Sequence, residues 1–139
     1  MKVLLDTNVI MDVLQSRDPW YRDGQAIFLL AAGNTIDAYI TANAVTDIHY
    51  LLKHSLHDEK KTRKLLHTLF QLFTILDTCG IDCEKALHSN LKDYEDAVMH
   101  EAAKREGIDC IITRDTADLK GASVNVYLPS QFLEKYGVR

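Results

Sequence analysis

Four aspartates spread over most of the chain, Asp6, Asp47, Asp96 and Asp115, have the surroundings from which chemistry can be built. Asp6 ends the apolar run Val3-Leu4-Leu5 and is followed by Thr7 and Asn8, while Asp115 ends a second run, Cys110-Ile111-Ile112, by way of Thr113 and Arg114. Unbroken apolar runs suit strands covered on both faces, as in parallel sheets. Two parallel strands would carry both carboxylates to one edge, the edge where open α/β sheets bind ligands. Asp, Thr and Asn are also good helix starters, so a plain cap would explain either motif alone; the recurrence of the pattern favours a shared site. Carboxylates crowded together repel and drift toward protonation unless a positive charge sits among them. Magnesium or manganese would supply it, since both prefer oxygen ligands, bind one or two carboxylates directly and accept phosphate oxygens in remaining positions. A metal so placed lowers the pKa of a bound water and neutralises charge on a scissile phosphate. Phosphodiester hydrolysis would then need no nucleophilic Ser or Cys.

The elements that must position these acids can be read in order. Lys2 to Leu5 is a strand delivering Asp6 to a strand-helix junction. Asp18-Pro19 has the form of an N-cap followed by a first-turn proline, opening a helix that carries Ala26, Ile27, Leu30 and Ala31 and stops at Gly33-Asn34. Trp20 and Tyr21 in its first turn could stack on a base, but such a pair is read as packing. Ile36 to Ile40 is a second strand, after which Thr41 or Asn43 caps a helix whose stripe is Ala44, Val45, Ile48, Leu51 and Leu52; at 100° per residue Asp47 flanks that stripe. The stretch from Lys53 to His67 is basic, and Lys60, Lys61, Arg63 and Lys64 are its candidates for contacting phosphates, against the plainer reading of a solvated face. Phe73 to Leu76 is a third strand. Asp82 is placed as the cap of a short helix, and Asp93 opens the next, which runs through Asp96 to Gly107. After the strand ending at Thr113, Asp118 and Gly121 belong to a loop, Val124 to Tyr127 is the last strand and Pro129 to Tyr136 the last helix. Right-handed crossovers with helices on both faces make this order an α/β/α sandwich around a five-stranded parallel sheet.

Bulk properties narrow the classes. The 139 residues suit a single domain spanning the chain. A formal net charge of -4 argues against nucleic-acid binding over the whole surface, so such a partner must meet a local basic patch. Cys79, Cys83 and Cys110 form an odd count without zinc spacing and read as free thiols, the histidines make no ligand pattern, and no signal peptide or membrane-spanning run is present, which points to a cytoplasmic protein.

In Leu5-Asp6-Thr7-Asn8-Val9, Asp47, Asp93-x-x-Asp96-Ala97 and Thr113-Arg114-Asp115 with Asp118, the sequence resembles the PIN domain nucleases, in particular small bacterial members that serve as toxins of toxin-antitoxin pairs. The resemblance covers nearly the whole chain. It implies a magnesium- or manganese-dependent ribonuclease acting on single-stranded or loop RNA, with Asp6, Asp96 and Asp115 holding the metal. Asp47 would ligate directly or through water, and Thr7, Asn8 and Thr113 would act as supporting donors. Relatives of this kind usually carry Glu where Asp47 stands, and the shorter side chain favours water mediation. A homodimer and an antitoxin partner are further implications. A receiver domain lacks its phosphoacceptor here, since Asp77 has no acids paired with it. An aspartyl phosphatase would need a second Asp where Asn8 stands. The remaining rival is a PIN-like module that binds RNA or protein without cutting.

Overall fold

The computed structural model describes residues 1–137. In chain order the elements are β1 (Lys2–Leu5), α1 (Thr7–Leu14), α2 (Tyr21–Ala32), β2 (Asp37–Thr41), α3 (Ala42–Leu56), α4 (Glu59–Leu72), β3 (Thr74–Leu76), α5 (Gly80–Ala86), α6 (Tyr94–Glu106), β4 (Cys110–Ile112), a 3-10 turn (Thr116–Leu119), β5 (Asn125–Tyr127) and α7 (Pro129–Tyr136). The strands form one parallel sheet in the order β3-β2-β1-β4-β5. From β1 the chain crosses to β2 on one side and later returns to place β4 on the other, with Leu5 beside Ile112. The topological switch point therefore falls between β1 and β4, at their carboxyl ends.

Both faces of the sheet are covered, as the unbroken apolar runs require. Val3, Leu5, Cys110 and Ile112 point into a core shared with Ile10 of α1, Ile27 of α2, Ile48 of α3, Leu69 of α4 and Phe132 of α7. Leu4 and Ile111, of opposite parity, pack on the other side against Ala102 and Ala103 of α6 and Leu119 of the 3-10 turn. This alternation is the α/β/α sandwich expected from the sequence. Each fully buried Leu or Ile contributes about 1.5–3 kcal/mol, and the central strands place such residues at nearly every position.

Several local boundaries differ from the sequence reading, each for a visible reason. The second helix begins at Tyr21 and not beside Pro19, because the Tyr21 amide donates to the Arg17 carbonyl (2.9 Å), closing a turn before the helix starts. Trp20 takes the N-cap position without a side-chain cap. β2 starts at Asp37, where pairing with Lys2 begins, and Ile36 is buried just ahead of it. Of the two cap candidates Thr41 is the one used, its hydroxyl oxygen accepting from the Ala44 amide (3.1 Å). Asp82 is not the cap of α5 but its third residue, reaching back to accept from the Cys79 amide (2.8 Å) and held by Arg105 Nε (3.1 Å). Burial pushes the Asp82 carboxyl up, yet the bonds from Arg105 and Cys79 outweigh this and leave it below the usual range. Asp118 stands in the 3-10 turn, not an open loop, its amide donating to the Asp115 carbonyl (3.1 Å).

One buried charge ties α1 to the end of β4. Asp12, 1% exposed, accepts from Arg114 Nε (2.6 Å) and Nη2 (3.1 Å) in a fork geometry, with Arg17 Nη1 farther off at 3.7 Å. Removing one partner of a buried pair strands the other. Arg114→Ala should accordingly cost up to about 3–5 kcal/mol, because buried Asp12 is left with only the longer contact to Arg17 (3.7 Å). Asp12→Ala should cost clearly less, since Arg114 is 24% exposed and can turn to water. Denaturant unfolding of the two variants reads the difference, and equal losses would contradict this asymmetry.

Candidate functional site

The strand ends around the switch point are joined by side chains about a hundred positions apart in sequence. Asp6 is the N-cap of α1: one carboxylate oxygen accepts from the Thr7 amide (2.8 Å) and the other from the Thr113 hydroxyl (2.8 Å). Having donated to Asp6, the Thr113 oxygen accepts from the Asp115 amide (3.0 Å) and from Asn8 Nδ2 (3.3 Å). Asn8 also donates to the Asp115 carboxylate (3.1 Å), and its own oxygen accepts from the Arg114 amide (3.2 Å). Thr113 and Asn8 thus fix the direction of both acids. Thr7 contributes through its backbone.

α6 brings the next acids to the same edge. Asp93 caps it by accepting from the Asp96 amide (3.0 Å), leaving Asp96 one turn in, half-buried and facing Asp6. Burial pushes the Asp96 carboxyl up to about 7, and the charges of Asp6, Asp93, Asp118 and Asp115 push the same way. Asp6 is also raised: burial is the largest cause, the bonds from Thr113 and Thr7 oppose it, and Asp115 and Asp93 add to it. Asp47 of α3 meets Glu95, whose carboxyl is raised by burial first and then by the charge of Asp47 and a hydrogen bond shared with it. A cleft at this edge is lined by Asp6, Thr7, Thr41, Thr78, Glu95 and Asp96 among others. Asp6, Asp96, Asp115, Asp93 and Asp118 therefore form one electrostatic cluster, and Asp47 joins it through Glu95.

Glu95 is an acid that the sequence alone does not single out. Its signal is its place beside Asp96, but one step along a helix turns a side chain by 100° and argues for a different face. At a helix start facing a sheet edge, both directions border the same cleft. The four basic candidates lie apart from this cleft: Lys60, Lys61, Arg63 and Lys64 are exposed on α4, and Arg63 donates to Glu59 (3.1 Å). The cation nearest the acids in sequence, Arg114, is engaged by Asp12.

Among the described residues no three His, Cys, Asp or Glu side chains are gathered closely enough to hold an ion as they stand. The donor chemistry nonetheless fits one. The ligands on offer are carboxylate oxygens, which suit hard cations, and the charges that most influence Asp96 are all other carboxylates. The arrangement therefore offers oxygen donors of the kind that hard cations prefer at the switch point.

The chain is similar to known proteins in sequence and in structure. Ribonuclease VapC1 of Aquifex aeolicus (strain VF5) is 28% identical over 141 residues, spanning 97% of this chain and 95% of that protein. Among solved structures, FitAcB from Neisseria gonorrhoeae superposes with a TM-score of 0.63 at 26% identity, over 92% of this chain and 98% of the other. A toxin-antitoxin complex from Klebsiella pneumoniae gives 0.66 at 23%, over 91% and 97%. VapBC2 from Rickettsia felis, bound to a DNA fragment from their promoter, gives 0.68 at 16%, over 92% and 98%. A family model described as PIN domain matches residues 2–117, a span containing both apolar runs, the Thr113 and Asn8 network and all four expected aspartates; the chain belongs to the PIN domain family.

Proposed function

We propose that this protein is a magnesium- or manganese-dependent endoribonuclease that hydrolyses single-stranded or loop RNA and acts as the toxin of a toxin-antitoxin pair. The observation that carries the reading is the uncompensated acid cluster at the β1/β4 switch point, where burial and four other carboxylates hold Asp96 at about 7. The ribonuclease named among its relatives and the toxin-antitoxin complexes among its structural neighbours support the same class. Asp6, Asp96 and Asp115 would hold the metal, with Asp47 reached directly or through water and paired with Glu95. When bound, the ion supplies an activated water and neutralises charge on the phosphate. Thr113 keeps Asp6 oriented by donating to it, Asn8 orients Asp115 in the same way, and Asp93 fixes the start of α6 so that Asp96 faces inward. We further place the protein in the cytoplasm as one domain, with a second copy and an antitoxin as partners; no described helix is long and apolar enough to cross a membrane.

Metal binding should be visible as stability. An acid whose folded pKa is about 7 against 3.8 in an unfolded chain favours the protonated native state. The metal-free protein should therefore lose stability as pH rises from about 4 to about 7, and the loss should level off above that. Magnesium or manganese at about 100 times its dissociation constant should add roughly 2.7 kcal/mol. Asp96→Asn should raise the metal-free Tm and shrink the gain on adding metal. A wild-type melting curve indifferent to millimolar metal would refute the ligand set.

For activity, the products should carry 5′-phosphate and 3′-hydroxyl ends, because a metal-activated water leaves the ribose 2′-hydroxyl uninvolved. Cleavage should stop in EDTA and return with manganese. Asp6→Asn or Asp115→Asn should lower the rate by several orders of magnitude, and Asp47→Asn by less if its role runs through water. Cyclic 2′,3′-phosphate ends or EDTA-resistant cutting would exclude the mechanism, and binding of RNA with no cutting by the wild type would make the protein a silent PIN-like module.

The segment with Lys60, Lys61, Arg63 and Lys64 is assigned to the RNA backbone. Reversing three of these charges should weaken binding of all sequences alike and flatten the salt dependence, by about 0.7 in log-log slope for each phosphate that the protein no longer neutralises. An unchanged slope returns the segment to a solvated helix face.

A further inference from the structure

A second feature of the carboxyl edge is built on the side chain of Arg114, whose backbone amide binds Asn8. Trp20, 43% exposed, sits over the Arg114 guanidinium at 4.0 Å from ring centroid to cation. Its place at a helix start reads as packing in the sequence, yet the indole is exposed and stacks on a cation. The guanidinium beneath it is fixed in turn by its fork onto buried Asp12. Beside the pair is a cavity lined by Trp20, Asp23, Arg114, Leu128, Pro129 and Ser130. Its walls come from the start of α2, the residue after Thr113 and the corner between β5 and α7, which puts it at the same sheet edge as the acids. Arg114 also connects the two places through the backbone: its amide donates to Asn8, the residue that orients Asp115.

We propose that Trp20, backed by Arg114, is a stacking subsite for a nucleobase of single-stranded RNA lying beside the acidic cleft, with Leu128 and Pro129 as the opposite wall. The proposal rests on the RNA part of the function proposed above. An aromatic face accepts any base, and the Arg114 cation attracted to the ring holds it in place, so this subsite positions the strand without reading its sequence. It also answers a difficulty of the acidic edge. Carboxylates repel a phosphate backbone, whereas a base can be captured by its π-face at no electrostatic cost.

Trp20 is the protein's only tryptophan, so its fluorescence reports on this place alone. The probes are a single-stranded RNA dodecamer and an abasic ribose-phosphate oligomer of the same length, titrated in magnesium into an Asp96→Asn background that leaves the RNA intact. RNA should quench Trp20 and the abasic oligomer should not. Trp20→Ala should weaken RNA binding, read by anisotropy, about tenfold with the fold retained by circular dichroism, while Trp20→Phe should stay within about twofold. RNA that binds with Trp20 fluorescence unmoved, or with equal affinity for Trp20→Ala, overturns the subsite. So does a signal that answers only to a basic peptide, which would assign the face to a protein partner. Without the Asp96→Asn change, cutting that is indifferent to Trp20→Ala removes the subsite and leaves the nuclease. Quenching and tenfold weakening in a protein that never cuts keep the subsite and remove the nuclease, and RNA that binds nowhere removes both.

Discussion

Mutual repulsion among carboxylates at one edge of a parallel sheet is the constraint around which this molecule is arranged. Asp6, Asp96 and Asp115 arrive from three separate segments, and Asp93 and Asp118 stand close enough to add to their unfavourable potential. Such a cluster persists only because the surrounding fold over-determines it. The pairing of β1 with β4 fixes the backbones on which Asp6 and Asp115 follow, the Thr113 hydroxyl and Asn8 amide fix their carboxylates, and α6 is docked on the sheet by Ala102 and Ala103. Free energy from the apolar packing thereby holds these like charges together.

The same constraint explains the treatment of Arg114. A guanidinium one residue from Asp115 could have neutralised the cluster and closed it to metal. Its side chain is drawn the other way, into a fork with buried Asp12 and under the ring of Trp20. This arrangement braces α1 against the end of β4, the two elements that carry Asp6 and Asp115. A structural ion pair thus keeps the cleft acidic while stiffening the frame that holds the acids. Arg105 is the parallel case, a guanidinium likewise forked onto a buried carboxylate, Asp82, in a closed structural pair.

The order and type of the elements, and the two-sided covering of the sheet, were legible in the sequence because apolar periodicity and helix-capping residues are local signals. The four aspartates stood out as candidates for a related reason: Asp6 and Asp115 end apolar runs, Asp96 follows a cap and Asp47 flanks an apolar stripe, so each is marked by its immediate neighbours. What stayed hidden was pairwise. Asp12 is one more acid on an amphipathic helix until Arg114, 102 positions later, is seen beside it. Glu95 could not be placed because its relevance depends on Asp47, on a helix from the other side of the chain's middle. Trp20 reads as packing because an aromatic at a helix start usually is, and only the turn that delays α2 to Tyr21 leaves it on the surface.

By itself, then, the sequence determined the sandwich, the strand-end position of Asp6 and Asp115 and the oxygen-rich chemistry that the acids offer, since these follow from residue type and spacing along one segment at a time. Tertiary structure alone decided which charges meet. It set β1 beside β4, gave the Thr113 hydroxyl to Asp6, paired Asp47 with Glu95 and turned Arg114 away from the cleft. The physical reason is range: propensity and hydrophobic pattern act over a few residues, whereas a hydrogen bond or an ion pair is fixed by distances of about 3 Å between groups that the chain separates by most of its length.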